Sequence, residues 1–180
     1  MTTAKPLVHP AEFWASMETI KRINKRKLCL AAGNNNCGGQ IVEAHTIPRS
    51  QLQRIATDGH VYSVRATPAD LLANDGRLTV GKKGIGELSV LNFFCAQHDR
   101  DLFSYIENDK LIFDSHQLAL LHYRAMGAEL YKKMNGLDGA RHHTKLLQRR
   151  SGLGEREKLR LAKEYERGSE LGLRHGAYVR

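Results

Sequence analysis

Apolar side chains recur at helical spacing in two long stretches of this chain and alternate, more loosely, in several short ones. After Pro10, which suits the first turn of a helix, Phe13, Met17 and Ile20 fall on one face, so Pro10 to about Asn24 is expected to be helical. Lys27–Leu30 and Gln40–Ile47 read as strands, the second closed by Pro48, with turn material at Gly33–Asn36 and Gly38–Gly39 between them. A short helix or helical turn is expected at Ser50–Ala56, a β-rich run at His60–Val64, and a brief helix or loop at Pro68–Asn74. Leu78–Val80 and Glu87–Val90 read as short strands around Gly81–Gly86, and Leu91–Phe94 leads toward a helix over Asp99–Ile106. Asp114, with Gln117 three positions on, opens a helix expected to run to Met134, where Asn135-Gly136 supplies a stop. Leu118, Leu121, Ala125 and Ala128 line one face of it, and Leu120, Tyr123 and Leu130 widen that face. So broad an apolar surface requires cover from the core, a second copy or another protein, which makes helix 115–134 the candidate oligomer or partner surface. A charged helix with a thin apolar stripe is expected from Glu155 to about Leu171, without a clear stop, as in a chain that continues.

The elements predict an α+β protein divided into residues 1–112 and a basic helical extension, 113–180. At 180 residues and 41% hydrophobic content, the chain can bury a core. No run of about 18 apolar residues predicts a membrane span, and no apolar signal core follows Met1-Thr-Thr-Ala-Lys-Pro6. The expected location is the cytoplasm, where three cysteines are better explained by metal ligation than by disulfides. The net charge is +9, concentrated at Lys21–Lys27 and from Arg141 onward, where 11 Lys/Arg face 5 Glu. Such surfaces attract polyphosphate backbones, so nucleic acid is the expected partner, DNA ahead of RNA.

All three cysteines fall in two clusters. Cys29 and Cys37 form a C-x7-C pair, wider than the usual zinc knuckle; Cys95 and His98 form a C-x2-H pair on a turn into a helix. Three thiolates and one imidazole make a closed tetrahedral set, so a structural zinc on Cys29, Cys37, Cys95 and His98 is expected. Buried thiols without a metal are the alternative for Cys29 and Cys37. Between the clusters stands Glu43-Ala-His45-Thr-Ile-Pro48, with a histidine on a strand that a zinc fold alone does not require.

This order of cysteine pair, His-x-Ile-Pro strand, asparagine and Cys-x-x-His resembles the HNH endonuclease family over Cys29 to Ile106. The resemblance implies a ββα-metal, treble-clef-like core and metal-dependent cleavage of nucleic-acid phosphodiester bonds. It implies His45 as general base on the attacking water, Asn92 as the residue that orients it or braces its loop, and Asp99 as ligand of a catalytic Mg2+ or Mn2+. Asp99 stands where the family has a histidine; a carboxylate suits Mg2+, a hard cation. Ala44 stands where many members carry an acid, and the 47 positions from His45 to Asn92 imply an insertion over Gln51–Leu88. For His45 the alternatives are packing in the hairpin or a place on the zinc. For the whole protein the alternative is an inactive zinc-binding module that binds nucleic acid or holds an assembly together. His60 is expected to pack in the core or a turn, with a place flanking the site as the alternative; Asp101 and Glu107 are expected on the surface, and His142 and His143 in solvent with metal binding as the alternative. Gly81-Lys-Lys-Gly-Ile-Gly86 lacks the ending of a nucleotide loop, although Lys82 and Lys83 could touch phosphate.

Overall fold

The computed structural model describes residues 10–31, 37, 39–108, 110–149 and 154–177, with side chains of the last helix described at 154–164, 167 and 168. The expected turn residues 33–36 and Gly38 lie outside the described residues. The elements are α1 (Pro10–Asn24), β1 (Ile41–His45), α2 (Arg49–Ile55), β2 (His60–Arg65), α3 (Pro68–Ala73), β3 (Thr79–Gly84), β4 (Val90–Cys95), α4 (Ala96–Glu107), α5 (Ser115–Gln148) and α6 (Glu155–Ala177). The class is α+β: helices with two small antiparallel pairs, β1–β4 and β2–β3. Two compact units emerge, residues 29–125 and residues 1–28 with 126–180, rather than a division at 112/113. No helix among the described residues is long and apolar enough to cross a membrane.

In the 29–125 unit, β1 pairs with β4 from Ile41↔Cys95 to His45↔Val90. The register slips between Val42↔Phe94 and Ala44↔Leu91, so Asn92 and Phe93 together oppose Glu43 as a β-bulge. The slip breaks strict alternation, and Phe93, Phe94 and Cys95 are buried in succession. Phe94 meets Phe103 of α4 edge-on at 5.2 Å, and Tyr123 of α5 lies 6.2 and 6.3 Å from the two rings. Residues 51–88 do interrupt the β1–β4 pair, and they have a core of their own: Leu52, Val61 and Ile85, flanked by Ala56 and Leu88. Asp58 and Gly59, at φ 52° and 71°, make the tight turn into β2 between the mutual hydrogen bonds of Thr57 and His60. Both central residues with positive φ is the geometry for which an Asp-Gly pair is suited.

In the other unit, Tyr131 of α5 donates its hydroxyl to the carbonyls of Asn24 and Arg26, at 3.0 and 2.6 Å. The Asn24 carbonyl is one that α1 leaves unpaired at its end, and the Asn135 amide also donates to it at 3.5 Å. Arg26 pairs with Asp138 at 2.7 Å, and Ser16 Oγ lies 3.2 Å from His142 Nε2. Lys158 of α6, 8% exposed, donates to the Gln148 carbonyl at 3.3 Å and pairs with Glu155.

Several expectations are corrected. Lys27–Leu30 is not a strand; Leu30 donates one backbone hydrogen bond to Phe93. Gly81–Gly84 belongs to β3, because β2 offers it a full ladder of partners, and Glu87–Ser89 is a turn. Helix α5 does not stop at Asn135-Gly136. A C-terminal glycine would adopt positive φ; Gly136 does not, and Asn135 is 2% exposed inside the helix. The buried stripe of α5 shares only Ala128 with the expected apolar face: Leu118 is 50% exposed and Ala125 is exposed, whereas Gln117, Arg124, Tyr131 and Asn135 are buried with Ala128. Gln117 makes no capping box; its Oε1 accepts from the backbones of Ile112 and Phe113, and its Nε2 donates to the Lys110 carbonyl.

Candidate metal centre

Three segments deliver four ligating side chains to one point. Cys29 follows α1 after a short connection, Cys37 precedes β1, and Cys95 and His98 flank the β4–α4 junction. Cys95 is the N-cap of α4: its sulfur accepts from the His98 backbone at 3.4 Å, and Cys29 Sγ accepts from the Cys95 backbone at 3.4 Å. His98 Nδ1 lies 3.3, 3.7 and 3.3 Å from the sulfurs of Cys29, Cys37 and Cys95. With zinc–sulfur bonds of about 2.3 Å and zinc–nitrogen bonds of about 2.0 Å, a tetrahedron has a sulfur–nitrogen edge of about 3.5 Å. The four donor atoms, all within 4.8 Å of one another, therefore lie close enough to hold one metal ion, and the set suits Zn2+. Gly39 makes room: a Cβ there would stand 2.9 Å from Cys95 Sγ and 3.0 Å from its Cβ.

Electrostatics favour thiolate at the buried position. The Cys95 pKa is pushed down to about 7, first by a hydrogen bond from Cys37 and then by the His98 backbone N–H. The Cys37 thiol, as the partner in that bond, is pushed up to about 11, with burial adding to the rise. Metal binding displaces these protons, so loading should release them.

His45 ends β1, half-buried, and is not among the four ligand residues. Its Nε2 lies 3.0 Å from the Ile85 carbonyl. A carbonyl only accepts, so Nε2 carries a proton, and in the neutral form of the ring the lone pair is on Nδ1. Ile85 is itself fixed, its N–H donating to Gly59 at 3.0 Å and its side chain sitting in the small core. Asn92 lies on the β4 bulge.

Asp99 stands in the first turn of α4 and helps line a cleft of about 350 Å3 with Val42, Arg100, Ser104 and Glu107. Burial raises its pKa and the Glu107 carboxylate adds to the rise, while the Arg124 guanidinium acts in the opposite direction. Arg124, 1% exposed, lies over the Phe103 ring at 4.1 Å and pairs with Glu107 at 2.5 Å. Its Nη2 is 3.7 Å from Asp99 Oδ1, an oxygen that is buried without a hydrogen-bond partner. Glu107 is thus a structural partner of Arg124 and not the free surface residue expected, whereas Asp101 is exposed as expected. Arg124 could have been noticed in the sequence as a charge seven residues after Gln117 on one helical stripe. Among the described residues, no second group of three or more His, Cys, Asp or Glu side chains comes together. Comparison of the chain with family models, curated proteins and solved structures gives no match.

Proposed function

We propose that the 29–125 unit is a zinc-braced nucleic-acid hydrolase of the HNH type, in which His45 is the general base. The observation that carries this reading is the imidazole at the end of β1, held through Nε2 by the Ile85 carbonyl with Nδ1 left as the basic atom. A base fixed in one tautomer can take a proton from water attacking a phosphodiester. The order of parts supports it too: cysteine loop, strand ending in histidine, antiparallel strand, and a helix that opens on metal ligands. Cys29, Cys37, Cys95 and His98 would hold a structural Zn2+ with no open position.

Asp99 would be the protein ligand for Mg2+ or Mn2+, an ion content with one or two carboxylates plus substrate phosphate. Its Oδ1, buried without a hydrogen bond, speaks for such a role. When bound, the ion would neutralise charge building on the phosphate and the leaving oxygen. Asn92 keeps the bracing role that the resemblance implies.

The second reading is a module that binds nucleic acid without cutting it. The Arg124 guanidinium beside Asp99 favours it, because a carboxylate matched by a buried cation has less need of a divalent ion.

Zinc-loaded protein incubated with plasmid and Mg2+ or Mn2+, beside His45→Ala of equal zinc content, separates the two. Cleavage by the parent alone supports the hydrolase. Cleavage by both chains removes His45 from the mechanism, and cleavage by neither, at one zinc per chain, leaves the binding module.

A further inference from the structure

The insertion between β1 and β4 carries a surface that the proposed chemistry does not use. In the β2–β3 ladder, Tyr62 pairs with Lys82 and Val64 with Val80. Alternation places His60, Tyr62 and Val64 of β2 on the same face as Val80 and Lys82 of β3. The opposite face holds Val61, buried in the small core, and Arg65, whose side chain lies across Gly81. The first face is open: Tyr62 is 74% exposed, Val64 60% and Val80 66%. Contiguous exposed apolar side chains on a small sheet mark a contact surface.

Its chemistry narrows the occupant. This face carries Lys82 and no acid; Arg65 and Lys83, on the opposite face, add to the positive charge of the hairpin. An aromatic ring directly across from a lysine offers a flat surface for a base and a cation for the adjoining phosphate. His60, exposed and held by Nδ1 donating to the Asp58 carbonyl at 2.6 Å, adds a second planar ring two residues from Tyr62. Stacked bases need a splayed strand, because a duplex keeps its base faces covered.

We propose that the outer face of the β2–β3 hairpin is a docking platform for unpaired nucleic acid, with a base stacked on Tyr62 and the backbone neutralised by Lys82. The platform rests on the proposed nucleic-acid function but not on cleavage. It is tied to the His45 end of the unit through Ile85, which follows β3 directly and whose carbonyl accepts from His45. A strand held on the hairpin is thus held by the element that fixes the base.

The test is fluorescence anisotropy with a labelled single-stranded 12-mer of mixed sequence and with its duplex, using zinc-loaded full-length protein and no other divalent ion. Tyr62→Ala is expected to weaken single-strand binding by roughly 5- to 100-fold, the range for loss of one stacked base. Tyr62→Phe should stay within about two-fold of the parent, and Lys82→Gln should flatten the salt dependence by about one phosphate contact. Equal zinc content and thermal midpoints show that the variants fold. Tyr62→Ala binding like the parent, a duplex bound as tightly as the single strand, or Tyr62→Phe failing as badly as Tyr62→Ala would each overturn the platform. The first of these would leave the face to a protein partner. Binding with the expected pattern but no cleavage would keep the platform and discard only the hydrolase.

Discussion

Gly39→Ala tests the metal centre without touching a ligand. The added carbon would lie 2.9 Å from Cys95 Sγ and 3.0 Å from Cys95 Cβ, where ordinary contacts run at about 3.5–4.0 Å. Cys95 cannot retreat easily. It is 1% exposed, paired with Ile41, and bound through its backbone to Cys29 Sγ and through its sulfur to the His98 backbone. Gly39 has no positive φ, so the effect is steric alone. Overpacking of this kind costs about 1–3 kcal/mol. Structural zinc in small domains is worth about 10–16 kcal/mol, so the site should survive with affinity reduced roughly 5- to 150-fold. Competition with a chromophoric chelator measures that loss. The zinc-loaded thermal midpoint should fall by about 2–10 °C, scaling the cost to a chain of this length. Metal-free parent and variant should melt much more alike, because the crowding falls on the closed cluster. Identical zinc affinity and midpoint in parent and variant would refute the packing of residue 39 against Cys95, and with it the four-ligand geometry.

Two other predictions concern the helices. Gly136→Ala meets nothing within 4 Å and lies inside α5, so it should stabilise the protein by about 0.5–1 kcal/mol in urea denaturation; destabilisation would mean that the helix does end there. Asp114 opens α5 by accepting from the Gln117 backbone and the Tyr105 hydroxyl, both at 2.7 Å, and these bonds, with nearby His116, lower its pKa. A carboxyl whose folded pKa is depressed stabilises the fold above its unfolded value, near 4, and loses that contribution as pH falls through the folded value. Asp114→Asn keeps a capping side chain without the charge. The parent's advantage over Asp114→Asn in denaturant midpoint should therefore be full at pH 7 and fall away progressively as pH drops below about 4, through the depressed folded value; zinc loss in acid affects both chains and cancels in the difference. An advantage that persists at low pH would remove the ionised carboxylate from the cap.

The local elements and the ligand set were legible because their signals are local. Pro10 and the Phe13–Ile20 spacing mark α1, Pro48 closes the run that holds β1, and the C-x2-H pair at a turn places Cys95 and His98 together. What was not legible depends on partners distant in sequence. Gly81-Lys-Lys-Gly reads as a loop until β2 supplies its ladder. Asn135-Gly136 reads as a stop until the helix is seen to continue through buried Tyr131, Asn135 and Ala140. The apolar reading of α5 failed for a related reason. Gln117, Arg124 and Tyr131 each bury a long polar side chain with specific partners, and hydrophobic periodicity gives no sign of such pairing. His45 was recognisable as a histidine on a strand, but its tautomer follows from Ile85, which lies forty residues away.

The bulge at Asn92 and Phe93 has a consequence for how this ladder can change. In a regular pair, deleting one residue from a strand turns every side chain beyond the deletion to the other face. Here two residues already oppose one, so the segment that presents Cys95 and the segment that faces His45 are out of phase by one position. Removing Asn92 would restore a regular ladder with the pairs on both sides unchanged, so Cys95 and the partner of His45 would keep their faces. Lengthening or shortening the hairpin beyond Ser89 would leave both as they are. The strand thus contains a joint that can give up one residue without turning either end over, and any larger length variation that preserves the two ends belongs between β1 and β4.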